Sequence, residues 1–556
     1  MADEVGRPSG SPIEDALAAV AEAVEIQRGL VAERPDAFLP ELATALNNQS
    51  AMLSRLGRRE DALAAIDEAV EIRRRLAAER PDAFLPDFAS SLNNRSLMLG
   101  DLGRREDALV ASVEAVEIYR DLAAARPDTF LPYLATSLNN QSLVLSRLRR
   151  HEDALTAIDE AVEIRRRLAD GHPDAFRPNL AMSLSNQSGC ASVLGRREDA
   201  LTAIEEAVEI YRGLTAARPD AFLTNLATAL SNQSNRLSEL GRREEALTAI
   251  DEAVEIRRRL ADTRPDAFLP DLATALSNQS GCLSGVGRRE DALTAIDEAV
   301  EIRRRLAEAR PDAFLPDLAT ALNNQSGFLN DLERPEDALA AIEEAVEIRR
   351  RLADARPDAF VPVLATALSN QSLMLSAVGR GEDALTAIQE AVVIGRGLAD
   401  ARPDRFLPEL ATALNNQTNR LSELERVEEA LATSQEAVEI YRRLAAARPD
   451  AFLLDLATTL NNQSSILTEL GRREEALTTS EEALDLVLPM LEQAEPRPPD
   501  GALKLVQAYL RRYGEAEDDP NPDLIQRIRA VLISAGLVAE DDEERPPAGG
   551  PPFEDG

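Results

Sequence analysis

Apolar side chains recur between residues 40 and 79 at two successive helical spacings. From Pro40 onward, Leu42, Leu46, Leu53 and Leu56 stand three, four or seven residues apart, which places them on one stripe of an α-helix. A turn follows at Gly57-Arg58-Arg59. A second helix is then predicted from about Glu60 to Glu79, with Ala62, Leu63, Ile66, Ala69, Val70 and Leu76 on its inner face. Glu71 sits four residues before Arg75, an exposed pair worth a few tenths of a kcal/mol. Arg80-Pro81-Asp82 ends this helix, and Asp82 is placed to cap the next.

The pattern then starts again. RPDAFLP begins at Arg34, and relatives of it begin at 80, 126, 172, 218, 264, 310, 356, 402 and 448, always 46 residues on. A register that never slips implies units stacked in contact, because a linker tolerates drift in length. Phe38 has counterparts at 84, 130, 176, 222, 268, 314, 360, 406 and 452. Every unit needs such a residue equally, so an apolar plug between helix pairs is expected rather than a ligand platform.

Small residues recur at Ser50, Ala62 and Ala69, and Gly57 recurs in most units. On these positions the chain resembles the tetratricopeptide repeat. The stretch LNNQSAMLSRLGRREDALAAIDEAVEI is similar to the longer repeats of the kinesin-light-chain type, and the resemblance covers about residues 13–493. Departures are a 46-residue unit, Gln49 in place of Leu, Leu46 and Leu53 at aromatic positions, and the late Pro81. The resemblance implies an all-α fold: a right-handed α-solenoid of stacked antiparallel helix pairs, with ten 46-residue units, an N-terminal half unit and C-terminal capping helices. A HEAT-like array has a similar unit length and is the alternative architecture.

The ends depart from the repeat. Residues 1–10 are expected to be disordered, and Ser11-Pro12-Ile13-Glu14 is a capping box. It opens a helix at about 12–33 whose Leu17, Val20 and Val24 are interior-like. That is unusual for a terminal cap, and it suggests a docking face for self-association or a weakly protected end. The solenoid spans 11–493. A helical cap is expected over 494–538, with helices near 500–513 and 521–537, and an acidic, Pro/Gly-rich disordered tail over 539–556.

Composition narrows the function. The formal net charge of −36, with aromatics at 3%, opposes nucleic-acid reading and anionic membrane surfaces. No stretch approaches 18 consecutive apolar residues, and MADEVGRPSGSP has no apolar core, so a cytoplasmic protein with no membrane span is expected. Lys504 is the only lysine and has no phosphate-loop neighbourhood. His151 and His172 are isolated replacements, and Cys190 and Cys282 fall in one slot of units two apart, too distant for a disulfide. No catalytic residue, metal site or cofactor is predicted.

One feature resists a purely structural reading. LNNQS and its variants place Asn inside a helix in every unit, although Asn there costs roughly half a kcal/mol or more against Ala. At 100° per residue, Thr44, Asn48, residue 51 and residue 55 point away from the partner helix. The ladder comprises Asn48, Asn94, Asn140, Asn186, Asn232, Asn278, Asn324, Asn370, Asn416 and Asn462. Either each amide bonds to its neighbouring layer, or the amides line a concave groove and pair with the main chain of an extended peptide. Arrays of the resembled family commonly use Asn here for that purpose. Flanking positions vary between units and complete the candidate groove: Asn235, Arg236, Glu239, Asp331, Asn419, Arg420 and Glu423. Acids at the position of Glu239 point to a partner with some basic residues. Gln49 is expected to make a buried interhelical hydrogen bond.

The leading expectation is a non-catalytic protein–protein interaction scaffold that binds a peptide or partner domain. The alternatives are a regulatory or sensor part of a bacterial signalling or defence system acting with a separate effector, which rests on the resemblance, or a self-assembling structural solenoid.

Overall fold

The computed structural model describes residues 12–492, 504–510 and 522–534. The expected disordered N-terminus, Ser11 of the capping box, the ends of the predicted cap helices and the acidic tail lie outside these residues. The described elements are α-helices that pair antiparallel in chain order, giving an α-solenoid of stacked helix pairs. By its packing the chain divides into two compact units, Met1–Val286 and Gly287–Gly556.

Each repeat holds a first helix, such as Pro81–Asp101, and a second, such as Arg105–Ala125. The first helix starts earlier than its apolar stripe suggests. RPDAFLP reads as a loop because of its two prolines, yet Pro81 occupies the first helical position, where its missing N–H has no helical partner to lose. Pro86 lies within the second turn and forfeits a single backbone donor. Asp82 therefore does not cap. Arg80 holds the N-cap position, makes no side-chain cap bond, and Asp82 complements the helix dipole from the first turn.

Arg80 is also the sole residue between one repeat's second helix and the next repeat's first. Its φ of −138° and ψ of 75° follow from the proline after it, which disfavours helical geometry at the preceding residue. Its guanidinium lies 4.8 Å from the centre of the Phe84 ring, an arrangement repeated at Arg126 over Phe130 and Arg310 over Phe314. Phe84 itself packs against the buried cluster that includes Leu63, Ile66, Val70 and Leu92. So short a junction keeps the 46-residue step constant.

The turn inside each repeat is equally fixed. Gly57 has a φ of +75° and donates to the Ser54 carbonyl at 3.0 Å, while Arg58 N–H reaches the Leu53 carbonyl at 3.0 Å. This is a Schellman closure, which favours glycine in the left-handed region. Arg149, Glu333 and Glu425 take the same turn at φ values of 62°, 56° and 58° without glycine's freedom.

The core lies between the helices. Ala62, Ile66 and Ala69 have no exposed surface, and their counterparts Ala154, Ile158 and Ala161 repeat this. Small residues here let helices approach closely. The half unit Pro12–Glu33 covers the first pair: Val24 is 2% exposed and Leu17 packs against Leu53, Ala62 and Ala65. Val24 therefore serves the interior, while Leu17 and Val20 are half-buried. At the other end, Arg527 of Pro522–Ser534 donates to Glu492 at 2.9 Å.

Layers are also tied by charge. Arg28 meets Glu68 at 2.6 Å, Arg120 meets Glu160 at 2.8 Å, and in the second unit Arg396 meets Glu436 at 2.7 Å and Arg442 meets Glu482 at 2.6 Å. These pairs join successive second helices. The expected pairing of Glu71 with Arg75 is not made; Arg74 approaches Glu71 at 3.9 Å and Glu114 at 3.4 Å instead. At the matching positions Glu301 and Arg305 the expected pair forms at 3.4 Å. A further tie is buried. Arg73 donates to the Asp87 carbonyl at 2.9 Å and to Ser91 Oγ at 2.7 Å, and its other nitrogen reaches Thr44 Oγ1 at 3.2 Å.

One first helix, Pro357–Ala377, is long and apolar enough to meet a membrane-span criterion, with a mean hydropathy of 1.2. It packs between its two neighbouring second helices in the same way as the other first helices.

Candidate functional site

The predicted asparagine face is where the helical wheel puts it. Asn48 and Asn324 are exposed, and the other eight amides of the ladder are half-buried. Asn235, Glu239, Asp331, Asn419 and Glu423 are exposed on the same face, while Arg236 and Arg420 are half-buried. Apolar side chains join them at Leu143, Met182, Val193 and Leu373.

The two readings of the ladder turn out to apply to different layers. Asn94 Nδ2 donates to Asn47 Oδ1 at 2.9 Å, Asn186 to Asn139 at 3.0 Å, and Asn370 to Asn323 at 2.9 Å. Each bond reaches back into the preceding layer, to the residue just before the ladder position. Where that residue is serine, the hydroxyl is too short to cross. Ser185, Ser231 and Ser369 turn back onto the carbonyls of Ala181, Ala227 and Ala365 at 3.0, 3.0 and 3.1 Å. The following amides, Asn232, Asn278 and Asn416, then make no side-chain hydrogen bond among the described residues, and neither does Asn324. Asn93 and Asn415 take a third course, donating to Ser137 at 2.6 Å and Thr459 at 2.8 Å and leaving their Oδ1 atoms buried without a partner.

Charge on this face is largely self-compensated. Glu239 accepts from Arg236 on its own helix at 3.0 Å and from Ser192 of the preceding layer at 2.9 Å. Glu423 accepts from Arg420 at 2.9 Å and from Ser376 at 2.7 Å. Asp331 and Glu469 are exposed acids with no ion pair among the described residues. Gln187 and Gln279 donate to Asp159 at 2.7 Å and Asp251 at 2.6 Å. The Gln49 position is therefore interhelical as expected, but its bond is exposed rather than buried, because Asp159 sits at the rim of the second helix.

Cys190 and Cys282 are free thiols. Burial pushes the Cys190 thiol up, so it is a poor nucleophile. Burial likewise raises the Tyr119, Tyr211 and Tyr441 hydroxyls and weakens the hold of Arg73 on its proton. These groups line the helix interfaces. Sequence reasoning missed the Asn47 slot and the buried Arg73 slot. The signal for the first was present, since Asn alternates with Ser there and with nothing else.

A tetratricopeptide-repeat profile matches residues 42–81, 88–123, 134–174, 226–265 and 318–357, in both compact units. The chain is a tetratricopeptide-repeat protein. Its repeats also match an anaphase-promoting complex subunit 5 profile at 174–215 and 358–418. No curated protein sequence matches this tetratricopeptide array. Among solved structures, it is similar to BtubC (BKLC) from P. vanneervenii, at 19% identity over 45% of this chain and 93% of that one, with a TM-score of 0.38. It is similar to aspartyl phosphate phosphatase F from Bacillus subtilis at 16% identity, over 72% and 93% of the two chains, with a TM-score of 0.42. YrrB, described as having an unusual peptide-binding site, aligns at 19% identity over 42% of this chain and 93% of its own, with a TM-score of 0.27. The family is one of protein–protein interaction scaffolds, generally without catalysis.

Proposed function

We propose that this tetratricopeptide array is a non-catalytic scaffold that captures an extended peptide segment of a partner protein on the exposed face of its first helices. The observation that carries this reading is the set of carboxamides, Asn232, Asn278, Asn324 and Asn416 among them, that make no side-chain hydrogen bond among the described residues. A carboxamide presents both kinds of group, so it pairs with a peptide N–H or C=O whatever the side chain. Each such position costs helix propensity, and at these layers no layer-to-layer bond offsets it. Basic side chains of the partner find counter-charges at Asp331 and Glu469.

The test is selection from a displayed random peptide library on the immobilised full chain. Enriched sequences are expected, and replacing the untied Asn232, Asn278, Asn324 and Asn416 by alanine is expected to abolish their binding with helicity unchanged. Binding that survives the four replacements rejects this reading.

A further inference from the structure

Two layers of the array carry the same side chains on this face. Helix Pro219–Glu239 presents Asn232, Asn235, Arg236 and Glu239, and helix Pro403–Glu423 presents Asn416, Asn419, Arg420 and Glu423. The offset is 416 − 232 = 184, which is four 46-residue steps. Elsewhere these slots vary: the position of Asn235 holds Ala51, Leu97, Leu143, Gly189, Gly281, Gly327, Leu373 or Ser465.

The match extends to geometry. In each layer the preceding first helix supplies a serine, Ser185 or Ser369, that leaves the ladder amide untied. In each, a second serine, Ser192 or Ser376, donates to the carboxylate. The arginine lies along the helix with its side chain 16% exposed at Arg236 and 11% at Arg420, and it pairs with that same carboxylate. Drift at solvent-facing positions has no reason to restore an amide pair and an Arg–Glu pair together.

We propose that these are two equivalent sites for one ligand, an uncharged stretch of extended peptide main chain, one site in each compact unit. The inference rests on the peptide-capture reading above. The chemistry follows from spacing. Residues 232, 235 and 239 lie three and four apart, so both carboxamides and the carboxylate share one helix face. Because Glu239 already holds Arg236 and Ser192, it offers no unmet charge to a charged ligand side chain. The Arg–Glu–Ser set acts as a fixed wall that keeps Asn235 presented, which lowers the ordering cost of binding.

A synthetic peptide taken from the library selection, titrated calorimetrically into the full chain, tests this. Two sites of equal affinity per chain are expected. Asn232→Ala with Asn235→Ala should leave one site, Asn416→Ala with Asn419→Ala should leave one, and all four together should leave none. Circular dichroism controls for folding, and alanine is the better helix former at each position. A single site per chain, or loss of all binding on replacing one pair, overturns the inference while leaving peptide capture intact. Failure to select any peptide overturns capture and the two-site proposal together, while indifference to all four replacements overturns the two-site proposal alone.

Discussion

The layer at Asn186 and the layer at Asn232 differ in what stands behind them. Asn139 reaches forward and holds the Asn186 amide at 3.0 Å, whereas Ser185 folds back onto Ala181 and leaves Asn232 untied. The same residue type, in the same slot of the same repeat, is thus a structural tie in one layer and a surface group in the next. The choice is made 47 residues earlier, by whether that side chain crosses to the ladder amide: serine is too short, and Asn93 and Asn415 cross instead to Ser137 and Thr459. A ladder that looks uniform in sequence is functionally divided.

The largest expected effect separates the two classes outright. Replacing Asn232, Asn235, Asn416 and Asn419 by alanine should weaken peptide binding at least about a hundredfold, the loss of roughly two hydrogen-bonding contacts per site. Replacing Asn94 and Asn186 should leave calorimetric affinity within a factor of about two; a comparable loss there would erase the distinction. Next in size is stability. Asn186→Ala should cost about 1 kcal/mol for its bond, offset by roughly half a kcal/mol of helix propensity, while Asn232→Ala should gain the propensity alone. Denaturant unfolding followed by circular dichroism reads the difference in sign.

Turn variants supply a control of similar size. Glu333→Gly and Glu425→Gly relieve left-handed backbone at φ values of 56° and 58°, and each should stabilise by about 1 kcal/mol without touching affinity. If affinity changes with them, capture follows global stability and not the amide face. The smallest effect is expected from Arg236→Ala, which uncovers Glu239. Affinity should move only a few-fold, with a shift toward lysine-containing peptides at low salt.

Much of this architecture was legible in the chain because the repeat tests each position ten times over. The period, the helix pairs, the turn glycines and the outward direction of the Asn48 slot all follow from spacing within one unit. What was not legible depends on contacts between units. Pro40 marked a helix start from its apolar stripe, but the helix begins at Pro35, since proline at the first position needs no donor. The role of Arg73 depends on the next layer, whose Asp87 carbonyl and Ser91 accept its hydrogen bonds. The pairing of Arg28 with Glu68 spans 40 residues and belongs to no helical wheel. The fate of each ladder amide required knowing that Asn47 touches Asn94 and not its own partner helix.

The central claim is that a ladder amide is available to a ligand unless the residue behind it bonds to it. It is tested most directly by Ser185→Asn in a chain whose second site is removed by Asn416→Ala and Asn419→Ala. The new carboxamide should bond Asn232, raise stability by about 1 kcal/mol and reduce peptide affinity at least about tenfold. A stabilised chain that binds its peptide as tightly as before would contradict the account.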